Sequence, residues 1–510
     1  MSSLKSRLAE LSPERLRGMG RGIEKESLRA QPDGTLAMTP HPLALGSALT
    51  HARITTDFSE SQVELVTGVG HSAESCLDEL AEIHQATYHV LAAAGDERLW
   101  VSSMPCRLPV DENIPLGVYG LSNVGRSKSV YRMGLGHRYG RRMETICGIH
   151  YNWSLPGLGS IEYFDLIRNF RRNAFLLLYL FGASPAVTAS FVAEREHPLE
   201  KLGDDSFYLP HATSLRMGKL GYQSDAQAGI AVSYNSLESY ADSLEEALTK
   251  PYPAYEALGI QDLGGGYNQL ATTLLQIENE FYGTIRAKRV IRRSERPLHA
   301  LRERGVEYVE ARLMDLNPFE SIGINADTAR LLDLFLLHCA LTDSAPDTPA
   351  EIAAMQRNQQ TTAARGREPG VCLERDGAPV ALTDWARELL SAFEPIAQAV
   401  DGAVGGDAYA CSLTEAQACV AHPERLPSAR VLTAIRGEYH DSYLDFVRAR
   451  AEAARADLVA RPFAEKTRAR FSREAAESLA KQRQMEAADR HVPFETYRRA
   501  YMSPACLRLP

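Results

Sequence analysis

The 510-residue sequence predicts an α+β fold in which a β-sheet is followed by a helical region. Two observations lead to this prediction. Strand-like segments with charged residues at alternate positions occur before residue 325, and from residue 326 apolar residues recur at helical spacing. The strand-like segments are residues 21–29, 62–67, 144–154, 274–282 and 305–318.

The composition excludes several classes of protein. The formal net charge of -9 argues against a general nucleic-acid binder, whose surface must be basic to displace counterions. The eight cysteines form no Cys-x-x-Cys pair, which excludes zinc-ribbon and thioredoxin-type motifs. The first residues contain no apolar signal core. We therefore expect a protein of the reducing cytoplasm that binds no nucleic acid.

The residue pattern divides the chain into three parts. Residues 1–20 read as a polar N-terminal helix, residues 21–325 as a sheet-and-helix core, and residues 326–510 as a helical region packed on that core in one structural unit. The uncharged run 174–193 nearly reaches the length of a membrane span. Because the sequence Gly-Ala-Ser-Pro at 182–185 interrupts it, we interpret the run as a buried core helix that ends in a turn, and expect no membrane association.

Residues 305–318 carry the clearest strand pattern in the chain. Tyr308, Glu310 and Arg312 alternate with apolar residues, so the two sets occupy opposite faces of a strand. The apolar face can pack in a core, whereas the other face places a carboxylate beside a guanidinium. Pro318 then ends the strand, because proline cannot donate to a ladder of hydrogen bonds.

Acidic residues at alternate positions recur on the other predicted strands. A single residue of this kind is more often a rim or packing residue, and the signal is the recurrence on four or five strands. If these strands are neighbours, one face of the sheet carries about six carboxylates and a histidine, whose mutual repulsion requires cations. Oxygen ligands with an occasional imidazole suit Mg²⁺ or Mn²⁺, which also bind nucleotide phosphates. The members are Glu24, Glu26, Glu64, His150, Glu278, Glu280 and Glu310.

The sequence contains no phosphate loop. No GxxxxGK[ST] motif is present, and the glycine run at 134–140 lacks the dinucleotide-binding spacing. Residues 102–134 are rich in Gly, Pro, Ser and Asn and predict a long functional loop. Arg216 and Arg312 are available for phosphate or carboxylate groups. We therefore expect a nucleotide to bind on the sheet.

Several motifs together resemble the proteobacterial glutamate–cysteine ligases. The resemblance is dense over residues 18–340 and loose over the helical remainder. It implies a glutamine-synthetase-like antiparallel sheet, curved into a funnel and surrounded by helices. It also implies ATP-dependent ligation of L-glutamate, through γ-glutamyl phosphate, to L-cysteine, which is the first step of glutathione biosynthesis. The matching segments are residues 21–29, 54–60, 148–156, 179–186, 208–216, 275–280, 307–312 and 315–319.

Carried over by motif, the resemblance assigns a role to each candidate residue. Glu310 and Arg312 are catalytic, with Arg312 stabilising the transferring phosphoryl group, and Arg216 binds the glutamate carboxylate. The expected ligands of Mg²⁺, or of Mn²⁺ as an alternative, are Glu24, Glu26, Glu64, His150 and Glu310, with Glu278 and Glu280 as further members. The expected cysteine pocket consists of Phe58, Tyr131, Arg132, Tyr222 and Tyr282.

The resemblance further implies a monomer whose partners are glutamate, cysteine and ATP, with feedback inhibition by glutathione. Two segments depart from the family pattern: the connection at 157–160 is short, and the stretch 358–362 is altered. Three alternatives stay open at this point. They are a related ligase that joins glutamate to another amine, a non-catalytic homologue that binds or regulates, and a protein anchored in a membrane through residues 174–193.

Overall fold

The computed structural model describes residues 2–221, 226, 232–292 and 295–509. The strands are β1 Gly20–Ala30, β2 Ile54–Thr56, β3 Gln62–Val66, β4 Arg98–Leu99, β5 Ile149–Ser154, β6 Ala186–Thr188, β7 Glu200–Leu202, β8 Ser206–Tyr208, β9 Ile285–Lys288, β10 Tyr308–Met314, β11 Cys372–Arg375 and β12 Ala378–Ala381. The α-helices are Ser2–Ala9, Pro13–Arg17, Ala73–Ala93, Asn123–Tyr139, Arg141–Glu144, Ser160–Asn173, Phe175–Phe181, Ala189–Val192, Leu237–Thr249, Pro253–Leu258, Pro297–Arg304, Ala326–Leu341, Pro349–Arg365, Leu382–Val404, Ala408–Ala421, Pro427–Glu438, Tyr443–Ala460, Glu465–Asp489 and Phe494–Tyr501.

A seven-stranded antiparallel sheet organises the molecule. Its strand order is β2-β3-β1-β5-β10-β9, and β4 pairs with the end of β1. The central strand β1 is the longest, and all but one of its eleven residues are buried. The predicted α+β class with an antiparallel sheet and a helical C-terminal region is confirmed, although the hairpin β11–β12 lies within that region.

Strand register places the acidic residues on one face of the sheet. Glu24 pairs with His150 on β5, and Glu26 pairs with Glu64 on β3. Glu310 on β10 pairs with Asn152, two residues beyond His150. Directly opposed residues in antiparallel strands point to the same side, and so do residues two apart on one strand. The recurrence read from the sequence therefore corresponds to a single surface.

The opposite face of the sheet packs against helices of the C-terminal region. The Arg21 guanidinium on β1 lies 2.7 Å from the Asp333 carboxylate in helix Ala326–Leu341, and both side chains are buried. The Tyr151 and Tyr409 hydroxyls donate to the same carboxylate at 3.0 and 2.9 Å. Buried apolar residues from Leu16 to Leu507 form one cluster around this contact. The predicted division of the chain at residues 20 and 325 stays a prediction.

The uncharged run 174–193 is buried, as expected. Helix Phe175–Phe181 ends before Gly182, where a Cβ atom would lie 2.6 Å from the Leu178 carbonyl oxygen. Beyond this turn the run forms strand β6 and a short helix rather than one continuous helix. Among the described residues, no helix is long and apolar enough to cross a membrane.

Three local predictions were wrong. The segment 102–134 does not stay a loop, because helix Asn123–Tyr139 begins there with Ser122 as its N-cap. The strand predicted at 144–154 begins only at Ile149. Residues 274–282 form no strand; they make a turn that contains the 3-10 helix Glu278–Glu280. The predicted helix at 1–20 is two helices, and Ser12 is the N-cap of the second.

Candidate active site

Three strands bring two carboxylates and an imidazole together at the centre of the acidic face. One ligand atom each of Glu24, His150 and Glu310 lies within 4.8 Å of the others. The His150 Nδ1 atom is 3.4 Å from a Glu24 oxygen and 3.5 Å from a Glu310 oxygen, while its Nε2 atom is 3.6 Å from Glu26. Four of the predicted metal ligands therefore lie together: His150 and the three carboxyl groups around it.

The cluster contains two kinds of carboxyl group. Burial opposes ionisation of Glu310, yet Lys288, Arg312 and His150 hold its pKa well below the ordinary value. Burial and the Glu310 charge also oppose ionisation of Glu24. The hydrogen bond from His150 and the charge of Lys288 outweigh them, so the pKa of Glu24 is lowered as well. These two groups are carboxylates at neutral pH.

Glu26 and Glu64 behave in the opposite way. Burial, followed by the Asp57 charge, raises the pKa of Glu26 to about 8. Burial, followed by the Glu24 charge, raises the pKa of Glu64 well above its ordinary value. Burial and Arg312 lower the pKa of His150, so its ring is neutral at neutral pH. The Arg216, Arg312 and Lys128 charges lower the pKa values of Glu26 and Glu64 without overcoming burial, so this side of the cluster would gain from a further cation.

Basic groups border the cluster on the β10 side. The Arg312 Nη1 atom donates to Glu310 at 3.0 Å and lies 3.4 Å from His150 Nδ1. Arg216 is buried and donates to the Arg312 carbonyl oxygen at 2.8 Å, with Asp315 at 3.9 Å. The structure thus brings both predicted arginines to the cluster, while the roles assigned to them stay predictions.

Sequence reasoning missed two basic residues on the edge strand β9. Arg286 pairs with Glu310 in the strand register, and Lys288 pairs with Tyr308. The Lys288 and Arg286 side chains lie 3.3 and 3.9 Å from the Glu310 carboxylate. Their alternation in Ile285–Lys288 is the signal that could have identified them, but a four-residue strand gives a weak pattern.

The structure separates Glu278 and Glu280 from the cluster, contrary to the expectation that they join it. Glu278 accepts hydrogen bonds from Arg296 Nη2 at 2.7 Å and from the Leu298 N–H at 3.1 Å. Glu280 is fully buried and accepts from Arg138 at 2.8 Å. Both carboxylates belong to buried ion pairs on a turn, because the predicted strand that would have aligned them does not exist.

Four of the five residues predicted for the cysteine pocket lie near one another, and their role stays a prediction. Tyr131 and Arg132 lie on helix Asn123–Tyr139, and the Arg132 Nε atom donates to the Asp57 carbonyl oxygen next to Phe58. The Arg132 guanidinium also stacks over the Tyr119 ring at 4.4 Å. The predicted pocket residue Tyr222 lies outside the described residues.

Glu144 is a further acidic residue of this pocket that the sequence did not reveal. It accepts a hydrogen bond from the hydroxyl of Tyr282, the remaining predicted pocket residue. Burial, together with the Asp57 and Glu280 charges, raises the pKa of Glu144 to about 8, although the Tyr282 hydrogen bond and the Arg132 charge oppose this rise. The pocket therefore contains a buried carboxyl group that changes charge near neutral pH.

Comparison with known proteins finds relatives that are named glutamate–cysteine ligases. The family model for glutamate-cysteine ligase matches residues 6–160 and 157–362. The glutamate–cysteine ligase of Alcanivorax borkumensis is 46% identical over 504 residues, covering 94% of this chain and 95% of that protein. The Pseudomonas aeruginosa glutamate–cysteine ligase is 46% identical over 503 residues, covering 94% of each chain.

Solved structures agree with the sequence comparison. The structure of the Francisella tularensis glutamate–cysteine ligase in complex with AMP matches with a TM-score of 0.90 and 33% identity, over 96% of this chain and 98% of that one. A bifunctional glutathione synthetase from Pasteurella multocida matches with a TM-score of 0.69 and 25% identity, over 91% of this chain and 55% of that one. The chain belongs to the glutamate–cysteine ligase family.

Proposed function

We propose that the acidic face of the sheet carries out the reaction of this family in the present chain. ATP phosphorylates the γ-carboxylate of L-glutamate, and the amine of L-cysteine then displaces phosphate from the acyl phosphate. The products are γ-glutamylcysteine, ADP and phosphate, in the first step of glutathione biosynthesis. The observation that carries the proposal is the meeting of Glu24, His150 and Glu310 within 4.8 Å, beside Arg312.

The donor set of the cluster fits Mg²⁺, with Mn²⁺ as an alternative. Carboxylate oxygens and one neutral imidazole are the groups that such hard divalent cations accept. The amide oxygen of Asn152 on the same face is buried and has no hydrogen-bond partner among the described residues. The residues that would hold the metal are Glu24, Glu26, Glu64, His150 and Glu310. When bound, the metal would neutralise negative charge on the phosphates of ATP.

Arg312 acts on the transferring phosphoryl group. Glu310 holds the guanidinium by an ion pair. Because the Arg312 side chain is 22% exposed, a substrate can still reach it. A planar guanidinium offers paired donors to phosphate oxygens. Arg216, whose neighbour Asp315 is held by Ser184 at 2.6 Å, binds a carboxylate of glutamate.

The acceptor amine enters the pocket of Phe58, Tyr131, Arg132 and Tyr282. An amine arrives as an ammonium ion and must lose a proton before it attacks. In its ionised form Glu144 can accept that proton, because a carboxyl group with a pKa of about 8 exchanges protons near neutral pH. A small pocket discriminates a single methylene group by only about 1–3 kcal/mol, so close analogues of cysteine should also react.

Substitution of Glu310 tests the proposal directly. Glu310→Gln should reduce formation of γ-glutamylcysteine to below about 1% of wild type, since it removes a metal ligand and the partner of Arg312. The matched control is Glu307→Gln on the same segment, where the carboxylate is 46% exposed, lies 3.6 Å from Arg289 and accepts a hydrogen bond from the Val290 N–H at 3.2 Å. Retained activity in Glu310→Gln, or equal losses in both variants, would contradict the proposed metal site.

Inhibition by glutathione and the monomeric state also belong to this proposal. Glutathione contains the γ-glutamylcysteine unit, so it should compete for the glutamate and cysteine sites without needing a site of its own. Initial rates at several glutamate concentrations would reveal this as a rise in KM for glutamate. Gel filtration with light scattering would measure the mass against the 56.2 kDa of one chain.

A further inference from the structure

A surface cavity lies between helix Pro427–Glu438 and the segment that contains Pro210. It has a volume of about 580 Å³, within the usual range for small-molecule sites. One wall is the exposed side of helix Pro427–Glu438, and the other is formed by Pro210 and Arg367. None of the residues assigned to the ligation site lines it.

Two arginines face this cavity without a carboxylate partner. Arg367 donates from Nη2 to the Pro210 carbonyl at 2.8 Å and from Nε to the Ala212 carbonyl at 3.2 Å, and its Nη1 atom has no partner among the described residues. Arg436 is exposed and stacks over the Tyr208 ring at 4.8 Å. Within the part of the chain that the structure describes, neither arginine forms an ion pair.

The nearest acidic residues do not supply the missing charge. Glu424 lines the cavity, but its side chain is 74% exposed and lies 3.4 Å from His422. Glu368, next to Arg367 in the chain, binds Arg365 instead, at 2.5 and 2.7 Å. Burial lowers the pKa of Arg367 to about 10. Tyr179 opposes this shift, and the Arg436 charge adds to it. The two guanidinium groups therefore repel each other, and no carboxylate of the described residues forms an ion pair with either of them.

We propose that this cavity binds a small organic anion. A phosphate or carboxylate group would lie between Arg367 and Arg436, whose guanidinium groups are suited to such oxygens. An apolar part of the same ligand would rest on Ala429 and Leu432, which line the cavity on the helix side. The residues assigned to glutamate, to cysteine and to the metal do not line this cavity.

The ligand would act on the glutamate site through one short segment. Arg367 holds the carbonyls of Pro210 and Ala212, and the Thr213 N–H and hydroxyl bind the carbonyls of Ala363 and Thr362, both at 2.9 Å. Arg216 follows three residues later. A bound anion would relieve the repulsion between Arg367 and Arg436, so that Arg367 keeps its hydrogen bonds to this segment. The position of Arg216 would then be fixed more firmly, which should lower KM for glutamate. This coupling rests on the proposed function, whereas the binding of an anion does not.

Calorimetric titration of the full-length protein tests the binding. The probes are phenyl phosphate and phthalate, which carry a phosphate or carboxylates beside an aromatic ring and resemble none of the substrates. We expect at least one probe to bind, and Arg436→Gln to weaken it about tenfold or more. Arg425→Gln is the matched control, since it removes an exposed arginine of the neighbouring turn that pairs with Glu415 at 2.6 Å and does not line the cavity.

The outcomes separate this site from the ligation site. Binding that survives in Arg312→Gln but fails in Arg436→Gln supports the proposal. The proposal is overturned if neither probe binds at about 10 mM, if Arg425→Gln weakens binding as much as Arg436→Gln does, or if Arg312→Gln abolishes it. The coupling is supported if the probe lowers KM for glutamate in wild type but not in Arg436→Gln. It is refuted if the probe leaves KM for glutamate unchanged in wild type.

Discussion

Replacing Arg312 by glutamine should lower turnover about a thousandfold and leave the protein folded. The guanidinium lies on β10 beside the cluster, 3.0 Å from Glu310 and 3.4 Å from His150. A unit charge 4 Å from a second one contributes about 4 kcal/mol at an effective dielectric constant of about 20. Because about 1.4 kcal/mol corresponds to a factor of ten in rate, the loss of this charge at the transferring phosphoryl group costs about 10³ in kcat.

The same substitution should have little effect on stability. Glu310 keeps Lys288 at 3.3 Å and Arg286 at 3.9 Å, so its buried carboxylate is not left without a cation. Arg312 itself is 22% exposed, and an ion pair of a partly exposed residue contributes about 1 kcal/mol or less. The melting temperature should therefore fall by only a few degrees, at most about 4 °C.

The assay measures release of phosphate from ATP with glutamate and cysteine, together with the melting temperature of each variant. Arg312→Lys is the companion variant: it keeps the charge but not the paired donors, and should fall between wild type and Arg312→Gln. Our reasoning would be refuted if Arg312→Gln kept more than about a tenth of wild-type turnover. It would also be refuted if the loss appeared in KM alone, because Arg312 would then bind substrate without stabilising the transition state.

Three further predictions follow from the pocket and the cluster. In the folded protein the pKa of Glu144 is raised from 4.5 to about 8, chiefly by burial. As the pH rises above 4.5, the unfolded chain therefore loses this proton before the folded protein does. The wild-type free energy of unfolding should therefore fall between pH 4.5 and about 8, by at most about 5 kcal/mol, and urea titrations should show a smaller fall for Glu144→Gln. Added Mg²⁺ should raise the melting temperature of wild type more than that of Glu64→Gln; equal shifts would place the metal elsewhere. 2-Aminobutyrate should replace cysteine as a substrate, and absence of product with either amine would contradict the assigned acceptor.

The cluster was predictable because strand periodicity is a local property. Glu310 and Arg312 alternate with apolar residues on β10, and Glu24 and Glu26 occupy alternate positions on β1, so each strand has one face that carries charged groups. The order of the strands was not predictable from periodicity, since pairing of β1 with β5 and of β5 with β10 joins residues more than a hundred positions apart. The resemblance to a known family implied an antiparallel sheet but not the order of its strands.

The wrong predictions of local structure arose where the conformation depends on a contact with a residue distant in the sequence. Glycines made residues 102–134 look like a loop, yet Gly125 and Gly134 serve close packing inside a helix. A Cβ atom at Gly134 would lie 2.3 Å from the Gln276 side-chain oxygen, which no local pattern reveals. Glu278 and Glu280 alternate as on a strand, but each is held by an arginine elsewhere in the chain.

The measurement that tests the central claim most directly is release of phosphate from ATP and Mg²⁺, first with glutamate alone and then with a panel of amines that includes cysteine. We predict strong stimulation by cysteine and a γ-linked dipeptide as the product. Stronger stimulation by a different amine would retain the sheet and its chemistry but contradict cysteine as the acceptor. If no amine stimulated phosphate release, the chain would be a non-catalytic member of its family, and the proposed function would be wrong.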